Sequence, residues 1–303
     1  MNAQPTIKEN SYLRRWLIAI RPRTLPAAGS PVLIGLSIAW TEGMFRLLPA
    51  VVILLCAILL QILANLVNDV ADYQKGTDTS ARLGPTRVTQ SGLLSPRQVW
   101  IGAGVIALLA IAGGIYLAWL GGWPVIIIGG LAMLAAVIYT VGPFALADYG
   151  LGDLFALFFF GLVTVAGTVY ILMGRLTPLS WMGGLGAGAL VTAILIVNNV
   201  RDIESDRMAG RRNIPVVWGR AAGEREYTIM LALAYVVIFI ILGLGWANAW
   251  ILLPLLSLPR AYQLRQQMRK LQPGPGFNQL LAHTAQLVLI YCVLFSAGIL
   301  ISG

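Results

Sequence analysis

Apolar residues run through this chain in blocks about as long as a bilayer is thick, and polar residues gather in the short stretches between them. A membrane span needs about 20 mostly apolar residues. Such runs lie at 16–40, 49–71, 98–120, 123–143, 152–174, 181–200, 227–245, 247–259 and 280–302. The 247–259 run is short and carries Pro254, so residues 227–258 could also be read as one long helix. Unbroken apolar blocks of this length predict an all-α, polytopic membrane protein, because a helix satisfies its whole backbone without water.

Composition sharpens that picture. Of 303 residues, 58% are apolar and 11% charged, whereas soluble domains carry roughly 25% charged residues. That excludes an ordinary soluble enzyme, a disordered chain and a secreted disulfide scaffold. Lys and Arg number 21 against 12 Asp and Glu. Nucleic acid is not the expected partner, since a nucleic-acid binder does not need long apolar runs; the lipid bilayer is. Nineteen of the 21 cations fall in the N-terminus and in the 73–97, 201–226 and 259–275 segments, leaving Arg46 and Arg175 elsewhere. Nine spans with a cytoplasmic N-terminus place all nineteen on the inner side, as the positive-inside rule requires. Merging the seventh and eighth spans would put four cations outside. Cys56 and Cys292 lie within apolar runs and imply neither a disulfide nor a zinc site. His283, with no second His or Cys nearby, reads as a helix-end residue. The polar first dozen residues and the Arg21-Pro22-Arg23 interruption do not resemble a cleaved signal peptide.

The acids are the informative residues. Six of the twelve fall in two short stretches, 65–78 (NLVNDVADYQKGTD) and 198–206 (NNVRDIESD). Asn65, Asn68 and Asp72 share one helix face, as Asn198, Asp202 and Asp206 nearly do. Both stretches contain Asn-x-x-x-Asp, at 68–72 and 198–202. This suggests one unit used twice within a single transmembrane domain covering 1–303. Carboxylates at a membrane boundary are costly and usually functional. With amide oxygens beside them they suit Mg²⁺, which takes one or two carboxylates while substrate phosphates complete its shell. Lys75 and Arg87 follow the first stretch, and Arg201, Arg207 and Arg211 flank the second; such cations match phosphate oxygens. Interhelical salt bridges at the bilayer edge are the alternative, and are favoured for Asp69 and Glu204, which point off the stripes.

The first stretch resembles the Asn-Asp-x-x-Asp motif of UbiA-type membrane prenyltransferases, and the second resembles their Asp-x-x-x-Asp motif. The branch most similar is the 1,4-dihydroxy-2-naphthoate polyprenyltransferases of menaquinone biosynthesis. The similarity runs in order through RPRTLPAAGSPVLIG (21–35), QILANLVNDVADYQKGTD (61–78), GPTR (84–87), YTVGP (139–143), GLGD (150–153), FFFG (158–161) and NNVRDIESDRMAG (198–210). It weakens after residue 220. After Gly210 the family often has Thr and a basic residue before Leu-Gly, where this chain has Asn213, Val217 and Trp218.

The resemblance implies a nine-helix bundle with a cavity opening sideways to lipid. It implies Mg²⁺-dependent transfer of a prenyl chain from a polyprenyl diphosphate to 1,4-dihydroxy-2-naphthoate, with loss of CO₂, in a bacterial inner membrane with the site facing the cytoplasm. Asn68, Asp72, Asp78, Asn198, Asp202 and Asp206 are the expected metal ligands. Asp72 and Asp202 are expected to be indispensable for catalysis, with Lys75 on the diphosphate. Arg87, Arg201 and Arg207 add contacts to the same group. Tyr139, Phe158, Phe159, Phe160 and Tyr170 are candidates for an electron-rich wall around an allylic cation, or are plain packing. Arg21 or Arg23 would hold the acceptor carboxylate, or anchor topology. Asp153 is a further candidate site residue, with Gly150 and Gly152 shaping its turn. Another aromatic acceptor (4-hydroxybenzoate or homogentisate) is the alternative within the family. A transporter is the alternative outside it. Nothing in the sequence specifies an oligomeric state.

Overall fold

The computed structural model describes residues 11–76, 83–142, 145–272 and 274–303. Among these residues every regular element is helical. Seven helices are long and apolar enough to cross a membrane: Tyr12–Thr41, Leu47–Lys75, Pro96–Gly121, Gly152–Met173, Pro178–Arg201, Arg220–Gly243 and Phe277–Ser302.

The first of these is broken. α1 (Tyr12–Ile20) ends at Arg21, whose φ of 56° puts it in the left-handed region. Pro22 follows, and proline disfavours helical backbone in the residue before it. A short 3₁₀ turn, Pro22–Thr24, then leads into α2 (Leu25–Thr41).

α3 (Leu47–Lys75) has 29 residues, about 44 Å of helix at 1.5 Å per residue. That exceeds the roughly 30 Å of hydrocarbon, and its polar end carries Asn68 through Lys75. α4 (Pro96–Gly121) begins with a reciprocal cap between Ser95 and Gln98. α5 (Trp123–Ile138) has 16 residues and none buried. It occupies the fourth expected span but is shorter than a bilayer core.

The next span is assembled from α6 (Gly152–Phe155), a π-helical stretch (Ala156–Val163) and α7 (Thr164–Met173). α8 (Pro178–Arg201) is the most buried helix. It packs against α7 and the π stretch, α2, α11 (Arg220–Gly243) and α13 (Phe277–Ser302). Short helices α9 (Ile203–Met208) and α10 (Ile214–Trp218) continue from its end. The eighth expected span, 247–259, is a 3₁₀ stretch, Ala249–Ser257, with Pro254 inside it. It runs directly into α12 (Leu258–Lys270). Pro254 contributes no backbone N–H, so an α-helical ladder cannot form through it.

Glycine sets the closest approach. A Cβ on Gly161 would lie 2.4 Å from the Gly184 carbonyl oxygen, and one on Gly188 would lie 2.6 Å from the Leu157 carbonyl oxygen. The π stretch and α8 therefore touch backbone to backbone, the close packing that small residues permit in lipid. Polar side chains buried among α11, α13 and the 3₁₀ stretch find partners within the bundle: Tyr227 with Thr284 at 3.0 Å, Tyr235 with Ser257 at 2.8 Å, and Tyr291 donating to the Ala234 carbonyl at 2.7 Å.

Gly188→Leu forces these two backbones apart. Overpacking of this kind costs about 1–3 kcal/mol or more. We expect a marked drop in thermal unfolding temperature in detergent, with Gly104→Leu, which faces open space, as the tolerated control.

Candidate active site

The chemistry-bearing residues collect at one end of the bundle, where α3, the 139–151 connection, α8, α9 and the start of α11 meet. The polar end of α3 supplies the first acids. Asp72 is buried and ion-paired twice: Arg87 Nη2 lies 2.7 Å away and Arg211 Nη2 2.8 Å away. Arg87 also donates to the Asn68 carbonyl, and Thr140 donates to the Asn68 side-chain oxygen. Lys75, exposed in the last turn of α3, lies 3.2 Å from Asp148.

The second motif sits where α8 ends. Asp202 leaves helical geometry (φ −100°, ψ 15°). That lets its carboxylate fold back on its neighbour Arg201, which donates to both oxygens at 2.8 and 2.6 Å. Arg201 is buried and donates also to Asn278 of α13 at 2.8 Å. Asn198 lies one turn earlier, its carbonyl accepting from the Asp202 N–H. Asp206, buried on α9, accepts from Arg211 at 3.1 Å and from Asn213 at 2.8 Å. Burial pushes its carboxyl up from the ordinary range, against the pull of the Arg211 charge.

Arg211 joins the motifs. It reaches Asp72 of the first, Asp206 of the second, and Asp148 at 3.5 Å. Burial disfavours its charge, but Asp72 and Asp206 outweigh that and its pKa is raised. The guanidinium thus stays cationic between two carboxylates 134 positions apart in sequence.

The remaining expected residues are placed unevenly. Tyr139 reaches this end, its hydroxyl 2.9 Å from where a Cβ on Gly152 would stand. Asp153 accepts from Asn199 at 3.3 Å and has the Glu226 carboxyl near it. Arg21 pairs with Asp69 at 3.6 Å, while Asp69 also accepts from the Val88 and Thr89 N–H groups. Asn65 donates to the Ile20 carbonyl and to Thr24, across the α1–α2 break. Arg23 is exposed, and among the described residues Arg207 pairs only with its exposed neighbour Glu204, at 3.3 Å. Phe159 of the π stretch stacks on Phe155 of α6 and meets Phe158 edge-on, and Phe160 packs against the main core. Tyr170 does not join the site. It lies 17 residues along the span from Asp153, about 25 Å at 1.5 Å per residue, beside Gly121 at the opposite end. Asp78 falls outside the described residues.

Composition and spacing did not single out Asp148, Thr140, Asn213, Glu226 or Asn278. Arg211 was visible only as a flanking cation. Asp148 and Thr140 do lie within or beside YTVGP and GLGD, so their proximity to quoted motifs was the available signal.

The model of the UbiA prenyltransferase family matches residues 28–274, most of the chain. The chain belongs to that family. The 1,4-dihydroxy-2-naphthoate octaprenyltransferase of Escherichia coli K12 is 34% identical, with 98% of each chain covered. The Mycobacterium tuberculosis protein of the same name is 32% identical, covering 95% of this chain and 97% of that one. The fold is shared with a UbiA homolog from Archaeoglobus fulgidus bound to GPP and Mg²⁺ (TM-score 0.70, 17% identity, 94% and 99% covered). It is shared also with the apo UbiA homolog from Aeropyrum pernix K1 (TM-score 0.66, 17% identity, 89% and 97% covered). This UbiA chain is a membrane prenyltransferase.

Arg201→Met removes the bidentate partner of Asp202 and the donor to Asn278. Breaking a buried ion pair is strongly destabilising. We expect a loss of up to about 3 kcal/mol, read as a lower unfolding midpoint in detergent. An unchanged midpoint would show that this pair does not fasten α8 to α13.

Proposed function

We propose that this chain transfers a polyprenyl group from its diphosphate to 1,4-dihydroxy-2-naphthoate, with decarboxylation, at the cytoplasmic face of a bacterial inner membrane. Nine crossings with the N-terminus inside belong to the same reading; the 16-residue α5 and the 3₁₀ stretch leading into α12 take the fourth and eighth. The observation that carries it is the meeting of both acidic motifs on Arg211, in a chain whose bacterial relatives from Escherichia coli and Mycobacterium tuberculosis carry the naphthoate transferase name.

The donor set fits Mg²⁺. Asp72 and Asp206 already accommodate a cation between them, in the form of a guanidinium. Hard carboxylate and amide oxygens are what Mg²⁺ takes. Asp72, Asp202, Asp206, Asn68 and Asn198 would hold it, with Asp78 beside them in sequence. When bound, the metal neutralises the diphosphate and favours its departure.

The chain's own residues perform the rest. Lys75 and Arg87 stand at the end of α3 to meet phosphate oxygens, with Arg201 and Arg207 on the second motif. As the bond from the prenyl C1 to oxygen breaks, its electron pair leaves with the diphosphate. A ring carbon of the electron-rich naphthol then supplies the pair for the new bond to C1. That carbon expels its carboxylate as CO₂, and the bonding electrons return to the ring. Tyr139 and the Phe158–Phe160 rings would face the transient allylic charge. Arg21 and Arg23 are the cations nearest in sequence to the α1–α2 break from which an acceptor carboxylate would be held. Asp153 lies beside Tyr139 on the same end.

Asp72→Asn and Asp202→Asn should each leave a folded membrane protein with turnover reduced at least about 100-fold, the scale of losing a preorganised charge at a reacting centre. The assay uses purified protein, saturating Mg²⁺ and a prenyl diphosphate. Supplying 1,4-dihydroxy-2-naphthoate, 4-hydroxybenzoate and homogentisate in parallel identifies the acceptor. Release of CO₂ with prenylated product from the naphthoate alone is the expected result; product from another acceptor alone overturns the assignment.

A further inference from the structure

At this end, among the described residues, Asp72, Asp148 and Asp206 are joined to Lys75, Arg87 and Arg211 in a connected set of ion pairs between 2.7 and 3.5 Å, and Asp202 pairs separately with Arg201 at 2.6 Å. A divalent cation entering such a set alone adds two uncompensated positive charges to a partly buried region. Charges there are screened far less than in water. Entering with a diphosphate, it arrives almost neutral. Arg211 is the residue on which the matter turns, because among the described residues it alone spans both acidic motifs, held there by Asp72, Asp206 and Asp148 together.

We propose that Arg211 is a resident counter-cation that competes with the metal, so that the site takes up a divalent ion only together with a diphosphate. This rests on the functional reading above and goes beyond it: it makes metal and diphosphate binding mutually dependent and assigns the dependence to one side chain. Arg211 holds Asp72 and Asp206 in place while the site is empty of substrate. When the metal and diphosphate arrive, the guanidinium gives up these carboxylates. Without a diphosphate the exchange trades a well-bonded cation for a partly hydrated one and gains little. By linkage, the factor by which diphosphate tightens metal binding equals the factor by which metal tightens diphosphate binding.

The test uses the full-length chain in detergent, with Mn²⁺ as a paramagnetic probe. Free Mn²⁺ is read by electron paramagnetic resonance, with and without a non-hydrolysable geranyl diphosphate analogue. In the unsubstituted protein the analogue should tighten Mn²⁺ binding at least about 10-fold, within the usual range of coupling between sites. Arg211→Gln should bind Mn²⁺ alone about 10-fold more tightly and lose most of that coupling. Arg211→Lys, which keeps the charge, should stay close to the unsubstituted protein. Thermal unfolding in EDTA should show Arg211→Gln less stable, and Mn²⁺ with the analogue should restore it.

Equal Mn²⁺ affinity with and without the analogue in the unsubstituted protein overturns the proposal, and this measurement needs no variant to fold. So does an Arg211→Gln protein whose metal-only affinity is unchanged or weaker. Equal tightening in Arg211→Gln and Arg211→Lys overturns it as well, since charge would then not be the cause. A different result, no binding of the analogue under any metal condition, is instead the failure of the prenyl-transfer reading itself.

Discussion

A carboxylate near hydrocarbon must find a positive partner, and the arrangement of this protein follows from how its few acids do so. The five acids Asp69, Asp72, Asp148, Asp202 and Asp206 are each paired to an arginine or lysine. Those partners come from other segments except at Asp202, where the neighbour itself serves, and at Asp206, whose Arg211 lies five residues on. The pairing draws together the end of α3, the 139–151 connection and the segment after α8, none of which is covalently close to the others. The groups proposed to meet metal and diphosphate are also the ones that fasten this end of the bundle. Loss of one partner at such a junction strands the others, which is why binding chemistry and cohesion of the bundle end are hard to separate.

The rest of the bundle brings those ends into register. α8 delivers Asp202 from the most buried position in the molecule. It is fixed on one side by the backbone contact with the π stretch and on the other by α11 and α13. α3 has a different task. Its polar end carries Asp72, and the Asn65 bonds to Ile20 and Thr24 tie that same helix to the break between α1 and α2. The least buried part is α5, with no buried side chain.

The spans were largely legible because twenty apolar residues in a row leave the backbone few options. The two departures are local. α5 stops at Ile138, short of the apolar run to 143. Pro254 replaces an expected helix with 3₁₀ turns. At the site, helical periodicity placed Asn68 and Asp72 together and marked Asp69 as turned elsewhere. Periodicity says nothing about partners on other helices. Thr140 on Asn68, Arg211 on Asp72 and Asn278 on Arg201 lie 72, 139 and 77 positions away, respectively. The Arg201–Asp202 pair was hidden for another reason: neighbours on a helix do not face each other, but here the helix ends between them. Tyr170 shows the converse error. It shares a span with Asp153 and sits a membrane's thickness away.

The glycine contact between the π stretch and α8 bears on the sequences this fold can accept. At Gly161 and Gly188 the missing methyl is itself the constraint, since a Cβ on either would approach the facing backbone within 2.6 Å. Most positions in a bundle drift freely among Leu, Ile, Val and Ala, so apolar content is preserved while identity is lost. These two cannot join that drift. They act as fixed points about which the rest of the lipid-embedded sequence is free to diverge, and relatives of low overall identity that keep this crossing should keep glycine at both.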